Sequence, residues 1–204
     1  MNTIAAVGIG RMGRGIAISF AFSGHTVQLI DLKKRDKTDF TKLINEAHRD
    51  IDNTLSMFEK FKILTQSEKE KILHRISFHS LQESKNILKN IDVVFEGVPE
   101  TIEAKKSALS LISKFSSKKT IIASTTSTIL SNDLQKYVLH PERFLNAHWL
   151  NPAFLVPLVE LSPGDHTDKN TTENLKQILE NIGKVPIVCS ASPGYIVPRI
   201  QALA

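Results

Sequence analysis

Three glycines spaced G-x-G-x-x-G, Gly8, Gly10 and Gly13, sit between an apolar run over residues 3–9 and a helical stretch from Arg14 to Ser23. Gly24 closes that stretch, and a second apolar run follows from His25 to Ile30. Buried strand, tight turn, helix and second strand fit within about 30 residues, the length of a parallel crossover. A parallel crossover demands a sheet with helices packed on its faces, which removes all-helical folds and antiparallel sandwiches from consideration.

The glycines also suggest a ligand. Gly8 lets the strand turn sharply, Gly10 lets the backbone approach a pyrophosphate, and Gly13 lets the helix lie close to the strand. Arg11 and Met12, between them, belong to the same cradle. Phosphates would rest at the amino end of the helix, where free N–H groups and the helix dipole favour an anion. The second strand ends in Asp31, eighteen residues past Gly13. An acid there accepts hydrogen bonds from ribose hydroxyls and repels a 2′-phosphate, which favours NAD over NADP. Lys33, Lys34 and Arg35 follow at once and are residue types that bind such a phosphate instead.

From Asp36 to Arg75 the period becomes helical: Phe40, Leu43, Ile44, Ala47, Ile51, Leu55 and Phe58 keep three-and-four spacing, and a second helix is expected over Ser67 to Arg75. Short strands then alternate with helices. Strands are expected at Ile76–Phe78, Asp92–Phe95, Ile121–Ser124, Phe144–His148, Leu158–Leu161 and Pro186–Cys189. Helices are expected near Leu81–Leu88, Thr101–Phe115 and Thr171–Asn181, with a further one opening at Tyr195. The fold class is α/β: a Rossmann-like, doubly wound, mostly parallel sheet with a helical excursion after the second strand.

Charge and composition narrow the partners. The net charge of +5 is spread over lysines in helical segments, without the aromatic interleaving of a nucleic-acid surface, so no nucleic acid is expected. No apolar run approaches the ~20 residues that span a bilayer, and no membrane partner is expected. Arg11 and Arg14 interrupt any export signal, and Cys189, the one cysteine, is expected as a buried strand residue. The cytoplasm is the expected compartment, and no metal site is expected.

The chemistry lies downstream, in His148-Trp-Leu-Asn-Pro-Ala-Phe-Leu-Val-Pro-Leu-Val-Glu160. A histidine titrates near working pH, and a carboxylate fixes its tautomer and stabilises the imidazolium. The twelve-residue gap suits two strands joined by a turn at Asn151-Pro152. The same residues also read as a core histidine and a surface acid. Ser127 follows a strand, at the carboxyl edge where such sheets bind ligands.

With GIGRMGRGIA, VVFEGVPETIEAKK, ASTTST, HWLNPAFLVPLVEL and SPGYIVPR in this order, the chain resembles the L-3-hydroxyacyl-CoA dehydrogenase family over nearly its whole length. The gulonate and carnitine dehydrogenases look similar. The resemblance implies NAD as cofactor, a small-molecule hydroxyacyl-CoA or hydroxy acid as substrate, and oxidation of a 3-hydroxy group. It implies His148 as general base, Glu160 as its holder, Ser127 as hydrogen-bond partner of the substrate oxygen, Glu100 and Lys105 as cofactor contacts, and Asn151 as a polar substrate contact. It further implies an NAD-binding domain over residues 1–192, with 193–204 opening a helical domain that this chain lacks, and a homodimer for the full-length protein. One position departs: where the family carries Asn in Pro-Gly-Phe-x-x-Asn-Arg, this chain has Pro198, which cannot make that hydrogen bond. The substrate is therefore open between acyl-CoA and related hydroxy acids. An NAD-holding module without turnover is the alternative.

Overall fold

The computed structural model describes residues 2–202, so Met1, Leu203 and Ala204, at the outer ends of the two expected segments, lie outside it. Eight strands form one sheet: β1 (Thr3–Val7), β2 (Thr26–Ile30), β3 (Ile76–His79), β4 (Val93–Glu96), β5 (Ile121–Ser124), β6 (Phe144–Trp149), β7 (Leu158–Pro163) and β8 (Val185–Val188). The helices are α1 (Arg11–Phe22), α2 (Lys37–Lys60), α3 (Gln66–His74), α4 (Leu81–Ile87), α5 (Ile102–Phe115), α6 (Ser131–Leu134), α7 (Lys169–Asn181) and α8 (Val197–Gln201).

The strand order is β3-β2-β1-β4-β5-β6-β7-β8. The first six are parallel; β7 runs antiparallel to β6, and β8 runs parallel to β7. The chain winds outward from β1 in one direction, then returns to build from β4 in the other. Such a reversal opens a crevice at the carboxyl ends of the strands. Alternate strand residues face opposite layers. Ile4, Ala6, Phe95, Ala123, Ala147 and Trp149 share one core with α1 and α7. Ala5, Val7, Val94, Ile122 and Phe144 share the other with α5.

The helical excursion is a pair, α2 and α3. Asp36 caps α2 by accepting from the Asp39 N–H at 2.8 Å, and Thr65 and Glu68 form a capping box at α3. Ala47, Ile51, Leu55 and Phe58 make the buried stripe of α2. Arg14 of α1 reaches the pair through Glu46 at 3.0 Å and through Asp50.

Several boundaries differ from expectation. The first strand stops at Val7 rather than residue 9, because Gly8 turns the chain at φ 108°. Helix α1 begins at Arg11, not Arg14: Gly10 is extended and its carbonyl already accepts the Arg14 N–H at 3.0 Å. Cys189 lies beyond the end of β8 and is half-buried rather than a buried strand residue, with burial pushing its thiol pKa up. Tyr195 is not helical; its φ is 42° and α8 starts at Val197. Helix α6 was not expected. Among the described residues, no helix is long and apolar enough to cross a membrane.

Candidate active site

Two glycines weld the crevice and a third opens it. A Cβ on Gly8 would lie 2.5 Å from the Gly97 carbonyl oxygen, so the turns after β1 and β4 touch through backbone. A Cβ on Gly13 would overlap the Gly8 carbonyl oxygen, so α1 sits against its own strand. A Cβ on Gly10 would meet nothing within 4 Å. Beside Gly10 a cavity of about 620 Å³ runs past Asp31 and Arg35 to Gly97, Val98 and α5. The first turn of α1 holds no acidic side chain and no side chain caps it, which leaves its N–H groups for an anion. These features fit a dinucleotide: an open floor at Gly10, uncapped donors, and an acid at the end of β2. Arg11 is exposed on the first turn, and the Met12 side chain packs against the core.

Asp31 is buried and engaged. Arg35 Nε donates to its Oδ2 at 2.5 Å, and Oδ1 accepts from the Lys33 N–H at 3.3 Å. The guanidinium therefore faces the cavity together with the carboxylate.

Glu100 and Lys105 belong to a network at the ends of β4 and β5 that runs from a buried Lys105–Glu96 pair to exposed Glu100. Lys105 Nζ, 1 % exposed, lies 3.1 and 3.2 Å from the two oxygens of fully buried Glu96 and 3.3 Å from Glu100. Ser124 and the Val98 N–H also donate to Glu96. One oxygen of Glu100 accepts from Thr126 Oγ1, the N–H groups of Ser127 and Thr128 at 2.9 and 3.1 Å, and Thr128 Oγ1 at 2.9 Å. Burial raises the Glu100 pKa, but the Thr126 hydroxyl, Lys105 and Thr128 outweigh it and leave it below the ordinary glutamate value. The loop that presents Ser127 after β5 is thus held by a carboxylate in the turn between β4 and α5.

His148 and Glu160 are directly opposed in the β6–β7 ladder. Their side chains share one face of the sheet, and Nδ1 lies 2.7 Å from Glu160 Oε2. Glu160 is fully buried, and its other oxygen accepts the N–H groups of Ile196 and Val197, both at 2.8 Å. A carboxylate only accepts, so Nδ1 carries the proton and the lone pair lies on Nε2. Nε2 makes no hydrogen bond among the described residues and is not one of the buried polar atoms left without a partner. It is the ring atom left for chemistry. Pro198 occupies the first turn of α8, where a missing N–H costs nothing.

A residue not singled out from the sequence completes the arrangement. Tyr195 stacks on His148 with ring centroids 4.9 Å apart and planes within 8°. Its hydroxyl donates to the Thr126 carbonyl at 2.9 Å and accepts from Asn146 Nδ2 at 3.0 Å. Asn151 lies exposed in the turn after β6, before a cis bond to Pro152. Lys184 anchors that turn by donating to the carbonyls of Ala153 at 2.6 Å and Val156 at 2.9 Å, and burial lowers its pKa.

Comparison with known proteins identifies the family. The family model for the NAD-binding domain of 3-hydroxyacyl-CoA dehydrogenase matches residues 3–192. The mitochondrial hydroxyacyl-coenzyme A dehydrogenase of Sus scrofa is 29 % identical, over 97 % of this chain and 62 % of its own length. The 3-hydroxybutyryl-CoA dehydrogenase of Clostridioides difficile is also 29 % identical, over 97 % of this chain and 66 % of its own length. The chain thus spans less than two thirds of these relatives. The crystal structure of the (S)-3-hydroxybutyryl-CoA dehydrogenase of Ralstonia eutropha superposes with a TM-score of 0.90 at 30 % identity, covering 98 % of this chain and 68 % of that one. Relatives of mitochondrial description show that membership does not imply the cytoplasm. The chain belongs to the 3-hydroxyacyl-CoA dehydrogenase family and carries its NAD-binding domain.

Proposed function

We propose that this chain is the NAD-binding and proton-accepting part of a dehydrogenase that converts the 3-hydroxy group of an acyl-CoA, or of a related hydroxy acid, to the ketone. The observation that carries the reading is the buried His148–Glu160 pair, with Nδ1 committed to the carboxylate and Nε2 left open. NAD, when bound, supplies the hydride acceptor. The chain's own residues do the rest. His148 Nε2 takes the hydroxyl proton as the carbon gives up its hydride, and Glu160 stabilises the imidazolium that results. Ser127, on the Glu100-held loop, donates to the substrate oxygen as its charge develops. Gly8, Gly10 and Gly13 with the first turn of α1 seat the pyrophosphate, Asp31 takes the ribose hydroxyls, and Asn151 contacts the substrate. Glu100 and Lys105 act on the cofactor by fixing the loops around it.

The test is calorimetry with NADH beside an assay of acetoacetyl-CoA reduction, on the parent and on His148→Gln. Parent turnover, lost in His148→Gln with NADH binding intact, supports the reading. Undiminished turnover in the variant removes His148 from the chemistry. NADH binding without turnover on any hydroxyacyl or hydroxy-acid substrate selects a cofactor-holding module instead.

A further inference from the structure

Tyr195 holds a backbone conformation that L-residues rarely adopt, with φ 42° directly after Gly194 at φ 77°. A left-handed tyrosine costs about 1 kcal/mol or more and persists where surrounding contacts over-determine it. The contacts here are the stack on His148 and the two hydrogen bonds of the hydroxyl. Burial, the largest influence, pushes the phenol pKa far above the usual tyrosine range, so the hydroxyl remains a donor to Thr126 throughout the neutral range. Asn146, fully buried two residues before His148 on the same strand face, is itself fixed by donating to the Ile129 carbonyl at 2.9 Å.

These bonds join three segments distant in sequence. The loop after β5 carries Ser127, β6 carries His148, and the turn into α8 supplies the N–H groups that hold Glu160. The bond from Nδ1 to Glu160 fixes one point of the imidazole and leaves the ring free to rock about it. A flat neighbour removes that freedom only if it is itself held.

We propose that Tyr195 is a positioning residue: its hydroxyl, tied to Thr126 and Asn146, fixes the plane on which His148 stacks, and so holds the imidazole in one orientation toward the Ser127 loop. Phenylalanine at this position supplies the stack without the tie. Leucine supplies neither.

The proposal rests on His148 as proton acceptor, and the test separates the two. Tyr195→Phe, Tyr195→Leu and His148→Gln are compared with the parent for kcat and KM with acetoacetyl-CoA, for NADH affinity by calorimetry, and for exchange of the downfield His148 Nδ1 proton by NMR. Removing the tie is expected to lower kcat about tenfold in Tyr195→Phe, within the scale of the two hydrogen bonds lost, and to speed Nδ1 proton exchange about as much. KM and NADH affinity are expected to change less than about twofold, because substrate and cofactor contacts are untouched. Tyr195→Leu is expected to be affected more strongly in both readouts.

Parental exchange in Tyr195→Phe overturns the proposal. So does an unchanged kcat, or a fall in kcat matched by an equal fall in NADH affinity, which makes Tyr195 a packing residue. Should Tyr195→Leu fail to fold, the near-isosteric Tyr195→Phe still decides. If His148→Gln keeps full turnover, the reading of the reaction fails, and proton exchange alone decides whether Tyr195 holds the ring.

Discussion

At Glu160 one carboxylate oxygen faces His148 Nδ1 while the other accepts the N–H groups of Ile196 and Val197. A glutamine cannot serve both sides. If its oxygen stays with the two N–H groups, its NH₂ turns on Nδ1 and forces the proton to Nε2, the tautomer unable to accept one. Glu160→Gln is therefore expected to lower kcat by on the order of 10²-fold or more with NADH affinity unchanged; kinetics beside calorimetry check it, and parental kcat would show that the carboxylate is dispensable. Glu100 makes a different prediction, on stability. Its folded pKa lies below the ordinary value, so its contribution is complete above that value, about 4.5, and is lost as pH falls through the depressed one. Thermal midpoints are expected to drop in that acid window, and to drop less steeply in Glu100→Gln. The His148–Glu160 pair was expected from the family resemblance, with a twelve-residue gap that suits two strands joined by a turn; the residues alone also allowed a core histidine and a surface acid, and only the β6–β7 register sets the two opposite each other. Tyr195 was not, because its partners Asn146 and Thr126 lie 49 and 69 residues away and no local pattern encodes them.

Among the elements, α1 shows what local pattern conveys and what it leaves out. The glycine spacing announced a strand, turn and helix, yet not that the helix begins at Arg11, because a glycine N-cap has no side chain to mark the boundary. The strands of the parallel core were legible as apolar runs, and α5 and α7 as apolar stripes. Thr101 and Asp168 cap those two helices through side chains that accept from Ala104 and Asn170. Helix α6 spans only Ser131–Leu134, too short to show a period. The three glycines of the turn are not equivalent, and substitution separates them. Gly10→Ala adds a methyl to open space and is expected to leave the thermal midpoint near the parent's while weakening NADH binding, because the methyl occupies the phosphate approach. Gly13→Ala drives a methyl into the Gly8 carbonyl and is expected to destabilise the fold by about 1–3 kcal/mol. Thermal melts and calorimetry on both variants check this; equal behaviour would mean that Gly10 is no part of the cofactor floor.

Across the whole molecule, the crevice lies on the seam between the two directions of winding, and the same seam is bridged beneath it by aromatic rings. Phe20 of α1, Phe95 of β4 and Trp149 of β6 contact one another with centroids 5.5–6.1 Å apart. All three are essentially inaccessible to solvent. Aromatic burial of this kind couples the elements it joins, since no ring keeps its packing once either side departs. Trp149 is the only tryptophan, so its fluorescence reports this junction alone, while far-UV circular dichroism reports the helices and strands together. The two urea transitions are expected to coincide, the mark of a single cooperative unit. In the proposed seat NAD lies across the same seam, and it is expected to bind only the folded chain. At a hundred times its dissociation constant it is therefore expected to add about 2.7 kcal/mol to the unfolding free energy read by either probe. A shift confined to fluorescence would mean that the cofactor stabilises only the junction, and that the two windings unfold independently.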